Sequence, residues 1–85
     1  GPQFCDGLFA GTINKLPPNL EILSIDSINV HKIACKLPDS ITYLRLCKTT
    51  IMNDYTLPKN LEVLIQHKIY RIFRDIPDNV TVIFN

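Results

Sequence analysis

Asp26, Cys47 and His67 come nearest to a chemical constellation in this 85-residue chain. Steps of 21 and 20 residues separate them, so a structure that repeats at that interval would set a carboxylate, a thiol and an imidazole on neighbouring strands. A Cys beside a His is how an activated nucleophile is built. The three together match a zinc ligand set with water in the fourth position. Both readings meet the same objection: each strand would contribute a single such residue, because one position recurs. Nothing in the sequence indicates an oxyanion hole, and no second cysteine pair supports zinc. The expectation is a non-enzymatic chain with no metal and no cofactor.

Other chemistry is sparse. Lys68, Arg71 and Arg74 recur every third residue, which suits an anion or nucleic-acid strip but equally the solvated side of a short turn or helix; the second reading is adopted. His31 stands alone, and Gly occurs only at positions 1, 7 and 11, so there is no phosphate-cradling loop. A net charge of +1 supplies no field for nucleic acid or an acidic membrane surface. No apolar run approaches the roughly 18 residues of a spanning helix, and no charged-then-apolar leader opens the sequence. Neither nucleic acid nor membrane is an expected partner. Cys5, Cys35 and Cys47 are odd in number and lack C-x-x-C spacing. They therefore read as reduced thiols of a cytoplasmic protein, each reactive without prior reduction.

The elements that position these residues come from one motif, an aliphatic residue, Pro, any residue, Asn or Ser, an aliphatic residue, then Glu or Thr. It occurs as Leu16-Pro17-Pro18-Asn19-Leu20-Glu21, Leu37-Pro38-Asp39-Ser40-Ile41-Thr42, Leu57-Pro58-Lys59-Asn60-Leu61-Glu62 and Ile76-Pro77-Asp78-Asn79-Val80-Thr81. The starts are separated by 21, 20 and 19 residues, near the roughly 20–29 of leucine-rich-repeat coils. Pro fixes φ and pushes the preceding residue to extended geometry. The Asn or Ser two residues later holds a turn by bonding nearby backbone.

Strands are predicted at 20–26, 41–47, 61–67 and 80–85, paired parallel. Three of them place apolar residues as L-x-x-L-x-L: Leu20, Leu23, Ile25; Ile41, Leu44, Leu46; and Leu61, Leu64 with Gln66 at the last position. The fourth, aligned by its motif, reads Val80, Ile83, Asn85. Leu23, Leu44, Leu64 and Ile83 are therefore the expected buried ladder. Alternation sends the intervening residues outward. One outward ladder is Ile22, Tyr43, Val63 and Val82; a second is Ser24, Arg45, Ile65 and Phe84; a third is the Asp26, Cys47, His67 row. The first two are largely apolar, which on an open sheet face marks a contact site, and Tyr and Arg are frequent interface anchors. The candidate protein-binding residues are Ile22, Tyr43, Arg45, Val63, Ile65, Val82 and Phe84.

Between strands the chain must return. Ile28, Val30 and Ile33 suggest a packed return, Thr49, Ile51 and Tyr55 a less regular one, and Ile69, Ile72 and Phe73 a single helical turn. The Asn of the L-x-x-N-x-L consensus is missing after the strands, so no asparagine ladder is expected.

The motif resembles FNIP repeats, a leucine-rich-repeat relative abundant in social amoebae and giant DNA viruses. The resemblance spans about residues 16–85 and rests on the Leu/Ile-Pro pairs, the Asn/Ser positions and the strand leucines; the Phe-Asn-x-Pro segment that names the family is lacking. Leu16-Pro17-Pro18-Asn19-Leu20-Glu21-Ile22-Leu23 is also similar to the leucine-rich effectors of enteric bacterial pathogens. Both resemblances imply a leucine-rich-repeat-like solenoid, a short parallel β-sheet of about four strands with irregular or single-turn helical returns. It would bind other macromolecules through its concave face and would not catalyse. A viral source would place it in host cytoplasm. The scarcity of Ala, present only as Ala10 and Ala34 among many Ile, Asn and Lys, agrees with an A/T-rich genome.

These readings divide the single domain into an N-terminal cap or partial repeat over 3–15, with Phe4, Leu8, Phe9 and Ile13 covering the open side, and a repeat region over 16–85 with units 16–36, 37–56, 57–75 and 76–85. Gly1-Pro2 looks like a protease scar. Residues 80–85 stop in mid-unit, so the last strand is expected to present an exposed sheet edge. The functional expectation is a protein-interaction module; the alternative is a structural module that forms homodimers through its sheet face or its last strand.

Overall fold

The computed structural model describes residues 3–5, 11–25, 30–46, 51–52, 54–67, 73 and 75–85. They form eight short strands and no helix: β1 Gln3–Cys5, β2 Gly11–Ile13, β3 Ile22–Ser24, β4 Val30–Ile33, β5 Tyr43–Arg45, β6 Ile51–Met52, β7 Val63–Gln66 and β8 Thr81–Phe84. The strands alternate between two sheets. Five pair in the order β1-β3-β5-β7-β8 and three in the order β2-β4-β6. Every pairing is parallel.

The Pro motif makes the same turn four times. The amide two residues beyond x closes onto the Pro carbonyl in Leu20 to Pro17 (3.2 Å), Ile41 to Pro38 (3.2 Å), Leu61 to Pro58 (3.2 Å) and Val80 to Pro77 (3.1 Å). These are three-residue closures of the β-turn kind. Two of the Asn/Ser side chains, those of Ser40 and Asn60, act differently from the local turn-holding expected of them, because they reach the preceding turn. Ser40 Oγ donates to the Leu20 carbonyl at 2.6 Å and lies 3.2 Å from that of Pro18. Asn60 Nδ2 donates to the Asp39 carbonyl at 2.9 Å, and the Lys59 amide donates to Asp39 Oδ1 at 3.1 Å. Each bond joins groups twenty or more residues apart, so the motif staples one turn to the next.

The core has contributions from both sheets. Leu23, Leu44 and Leu64 of the larger sheet are fully buried, as are Leu20, Ile25 and Ile41, and they share one cluster with Ile13, Ile33 and Met52 of the smaller. Register explains the order: Leu23 pairs with Leu44 and Leu44 with Leu64, while Ile13 pairs with Ile33 and Ile33 with Met52. Gly11 has φ 93° at the point where the β2–β4 register shifts by one residue. A side chain would clash in that left-handed conformation, so Gly carries the irregularity.

Three expectations change, and a fourth falls outside the described residues. The larger sheet has five strands where about four were expected, because Gln3–Cys5 pairs with Ile22–Ser24; the N-terminal segment, expected as a cap or partial repeat, supplies a strand to each sheet. The returns contain strands of a second sheet. The single helical turn expected at Ile69, Ile72 and Phe73 falls outside the described residues except for Phe73, which is buried. Finally, the last strand is shifted by one residue. Leu64 pairs with Val82, and Ile65 with Ile83, so Val82 and not Ile83 continues the buried ladder.

The shift has a hydrogen-bonding cause. Glu21 O accepts the amides of both Thr42 (2.9 Å) and Tyr43 (3.2 Å), and Thr42 O those of both Glu62 (2.8 Å) and Val63 (3.0 Å). Two successive amides on one carbonyl absorb a residue, which lets positions three apart, such as Leu20 and Leu23, both face inward. At the last pairing Glu62 O takes the Thr81 amide at 2.8 Å and the ladder proceeds from Thr81 itself. Strict alternation follows, Val80, Val82 and Phe84 inward, in place of the L-x-x-L-x-L spacing.

Candidate protein-interaction face

Alternation along β3, β5 and β7 turns one side of each strand into the core and leaves the other as the outer face. Ile22, Tyr43 and Val63 stand side by side in one row of that face. Ser24, Arg45 and Ile65 form the next. All six are half-buried, against the complete burial of Leu23, Leu44 and Leu64 between them. Five of the seven candidate binding residues are thus brought together: Ile22, Tyr43, Arg45, Val63 and Ile65.

Val82 and Phe84 are not part of that face. Their register partners are Leu64 and Gln66, both buried, so they lie on the core side of the sheet. Thr81 and Ile83 replace them outside, beside Val63 and Ile65. Ile83 is 45% exposed and extends the apolar part of the second row; Phe84, also 45% exposed, pairs in register with Gln66 at the end of the strand. The signal for this was present in Val80-Thr81-Val82-Ile83-Phe84, which fits alternation as well as it fits the motif's spacing.

Electrostatics on the face are light. Tyr43 and Arg45 neighbour each other along β5, one in each row. Thr81 continues the first row beside Val63, and Glu21 and Glu62 border it as exposed residues, with Thr42 half-buried between them and its hydroxyl 3.4 Å from the Glu21 carbonyl. The rim is therefore polar and weakly acidic, and the centre apolar, as interaction surfaces commonly are.

The Asp26, Cys47, His67 row cannot be placed as a unit, because Asp26 and Cys47 lie outside the described residues; His67 is half-buried after β7. Lys68, Arg71 and Arg74 also lie outside them. Among the described residues no group of three or more His, Cys, Asp or Glu is placed to hold a metal ion. Cys35 is a free thiol packed against the core, and burial pushes its pKa up while a backbone hydrogen bond opposes this weakly. A thiol held protonated is a poor nucleophile. No helix among the described residues is long and apolar enough to cross a membrane.

Away from this face, Tyr55 is 51% exposed and sets its ring edge-on to Phe73, with centroids 6.4 Å apart and an interplanar angle of 71°. The Met52 amide donates to its hydroxyl oxygen at 3.4 Å. Asp54 Oδ1 accepts the Thr56 amide at 2.8 Å. The Thr56 side chain, then its amide, hold the Asp54 carboxyl below its ordinary pKa, with a smaller contribution from the Lys36 charge. Asp54, Tyr55 and Thr56 lie in the return between β5 and β7, which in the sequence is the less regular one, and Tyr55 ties it to Phe73 beyond β7.

Comparison of the chain with protein-family models, with curated proteins and with solved structures finds no match.

Proposed function

We propose that this chain is a non-catalytic protein-interaction module that binds a protein partner through the outer face of its five-stranded sheet. The observation that carries the reading is the double row on that face: Ile22, Tyr43 and Val63 beside Ser24, Arg45, Ile65 and Ile83, mostly apolar and only half-buried. Apolar side chains held in rows by a sheet are a rigid surface, so little ordering entropy opposes binding. Tyr and Arg at the centre supply the large contacts on which interface energy concentrates. We further read the architecture as a leucine-rich-repeat-like solenoid related to FNIP repeats, in which the strand rows would line the concave side. The recurring turn and its turn-to-turn bonds support that reading.

A double substitution, Tyr43→Ser with Ile65→Ser, tests it. Both side chains are half-buried on the outer face, so the fold should survive, as circular dichroism would check. Proteins that co-purify with the wild-type chain from its native cell should be lost with the variant and kept with a turn variant such as Lys59→Ala. Co-purification unchanged by the double substitution would overturn the assignment of the face. A second reading, self-association of copies through the sheet, is favoured by the exposure of both Ile83 and Phe84 on β8. Sedimentation equilibrium across concentration separates the two.

A further inference from the structure

The centre of the outer face restricts what can lie on it. β3, β5 and β7 each have a parallel neighbour on both sides, so their backbone groups are engaged within the sheet and the face offers side chains alone. An occupant must satisfy its own backbone. A helix does so and an extended segment does not. Spacing agrees. Neighbouring strands lie about 4.7–4.9 Å apart, so Ile22, Tyr43 and Val63 recur at close to the roughly 5.4 Å pitch of an α-helix. One side of an extended segment repeats every two residues, at roughly 6.6 Å, and loses step with the row sooner.

Charge supplies the second restriction. The four Pro motifs hold Glu21, Asp39, Glu62 and Asp78 against Lys59, a balance of −3 in a chain whose total is +1. All five are exposed. Bonds from Ser40, Lys59 and Asn60 to the turn before hold the turns together, and the ridge they form runs along the first apolar row. Glu21, Thr42 and Glu62 stand on successive coils, linked by Glu21 O to the Thr42 amide and Thr42 O to the Glu62 amide. Each directly precedes a residue of that row. Glu21 and Glu62 are two strand spacings apart, roughly 9.6 Å, against about 10.8 Å for two helical turns.

We propose that the outer face takes an amphipathic helix of a partner protein, lying across the strands, with an apolar stripe on Ile22, Tyr43 and Val63 and Lys or Arg residues two turns apart on the flank that covers Glu21 and Glu62. This rests on the outer-face reading and adds the chemistry of the partner. Arg45 in the second row fixes the direction, because a basic flank turned to that side would meet like charge. Apolar contact supplies affinity and the acidic ridge selects among helices, as in helix-and-groove recognition.

The test titrates the whole chain into three labelled synthetic peptides and reads anisotropy. The first is a side-chain-stapled helix of roughly four turns with a Leu stripe and Lys at i and i+7 on one flank. The second has Glu in place of those Lys residues. The third has the first peptide's composition with a central Pro and no staple, so that it stays extended. Saturable binding of the Lys helix is expected, with amide NMR shifts on β3, β5 and β7. The Glu helix and the extended peptide should bind more weakly. Glu21→Gln with Glu62→Gln, which keeps both backbone carbonyls, should weaken the Lys helix about three- to tenfold, the effect of two exposed ion pairs, and raised salt should erase that difference. Equal affinity for the Lys and Glu helices, equal affinity for the extended peptide, or no saturable binding would overturn the proposal. So would concentration-dependent dimerisation that shifts the same amides without peptide, since the occupant would then be a second copy. Tyr43→Ser with Ile65→Ser separates the two readings. If both helices bind alike and both lose binding in that variant, the face stands and the basic helix falls; if the Lys helix binds that variant as well as wild type, the face itself falls.

Discussion

Gln66 offers a measurable test of the core. It follows Ile25 and Leu46 in the innermost row, one position beyond the Ser24, Arg45, Ile65 register. Ile25 and Leu46 are buried aliphatic residues; Gln66 is equally buried, at 2% exposure, and its Oε1 has no hydrogen-bond partner among the described residues. A buried acceptor left unpaired costs about 1–3 kcal/mol. Gln66→Met removes that acceptor while keeping an unbranched side chain of similar size, and a volume-conserving change costs less than about 1.5 kcal/mol. The net expectation is a gain of about 1–2 kcal/mol, seen as a melting temperature raised by about 4–8 °C per kcal/mol for a domain of this length. Urea unfolding followed by circular dichroism reads the same change as a higher midpoint at unchanged slope. Gln66→Glu serves as the opposing control. Burial raises a carboxyl pKa, so the destabilisation is absent below the unfolded value of about 4.3 and grows as pH rises towards the folded value. A Gln66→Met variant less stable than wild type, with Gln66→Glu showing no such pH dependence, would refute the picture of an orphaned acceptor in a dry core.

Three further outcomes follow from the same structure. Leu44→Ala removes a fully buried side chain from the centre of the ladder; a loss of about 2–5 kcal/mol is expected in urea unfolding, a large part of the stability of a domain this small. The one-residue shift of β8 predicts that Ile83→Lys is tolerated while Val82→Lys, on the core side next to Leu64, lowers the melting temperature sharply; the reverse order would restore the unshifted register. Asp54, with its carboxyl held below the ordinary value by Thr56, stabilises the fold above its unfolded pKa and loses that contribution as pH falls through the lower folded value. Carboxyl carbon NMR should place its midpoint below that of a reference peptide, and Thr56→Ala should move it up.

The sequence by itself determined the parallel pairing of β3, β5 and β7 and the identity of the central core. The Pro motif makes a fixed turn, and motifs spaced almost evenly bring Leu23, Leu44 and Leu64 to the same height. A period with a physical cause is legible without coordinates, and the outward positions of Ile22, Tyr43, Arg45, Val63 and Ile65 follow from it by alternation. Tertiary structure decided the rest. The register of β8 depends on whether one carbonyl takes two amides or one, as Thr42 and Glu62 do respectively, and no side chain announces that choice. The step moved Val82 and Phe84 off the face and Ile83 onto it. The smaller sheet was hidden because its strands are two to four residues long, too short for a local pattern. Its row of Ile13, Ile33 and Met52 shows only when residues of successive returns are compared. β1 lacked a preceding motif to mark it, and only its register with Ile22–Ser24 reveals it. Strand pairing in this chain is long-range hydrogen bonding between segments some twenty residues apart, so local sequence fixes where a turn begins, while the neighbouring strand fixes which residue each amide meets.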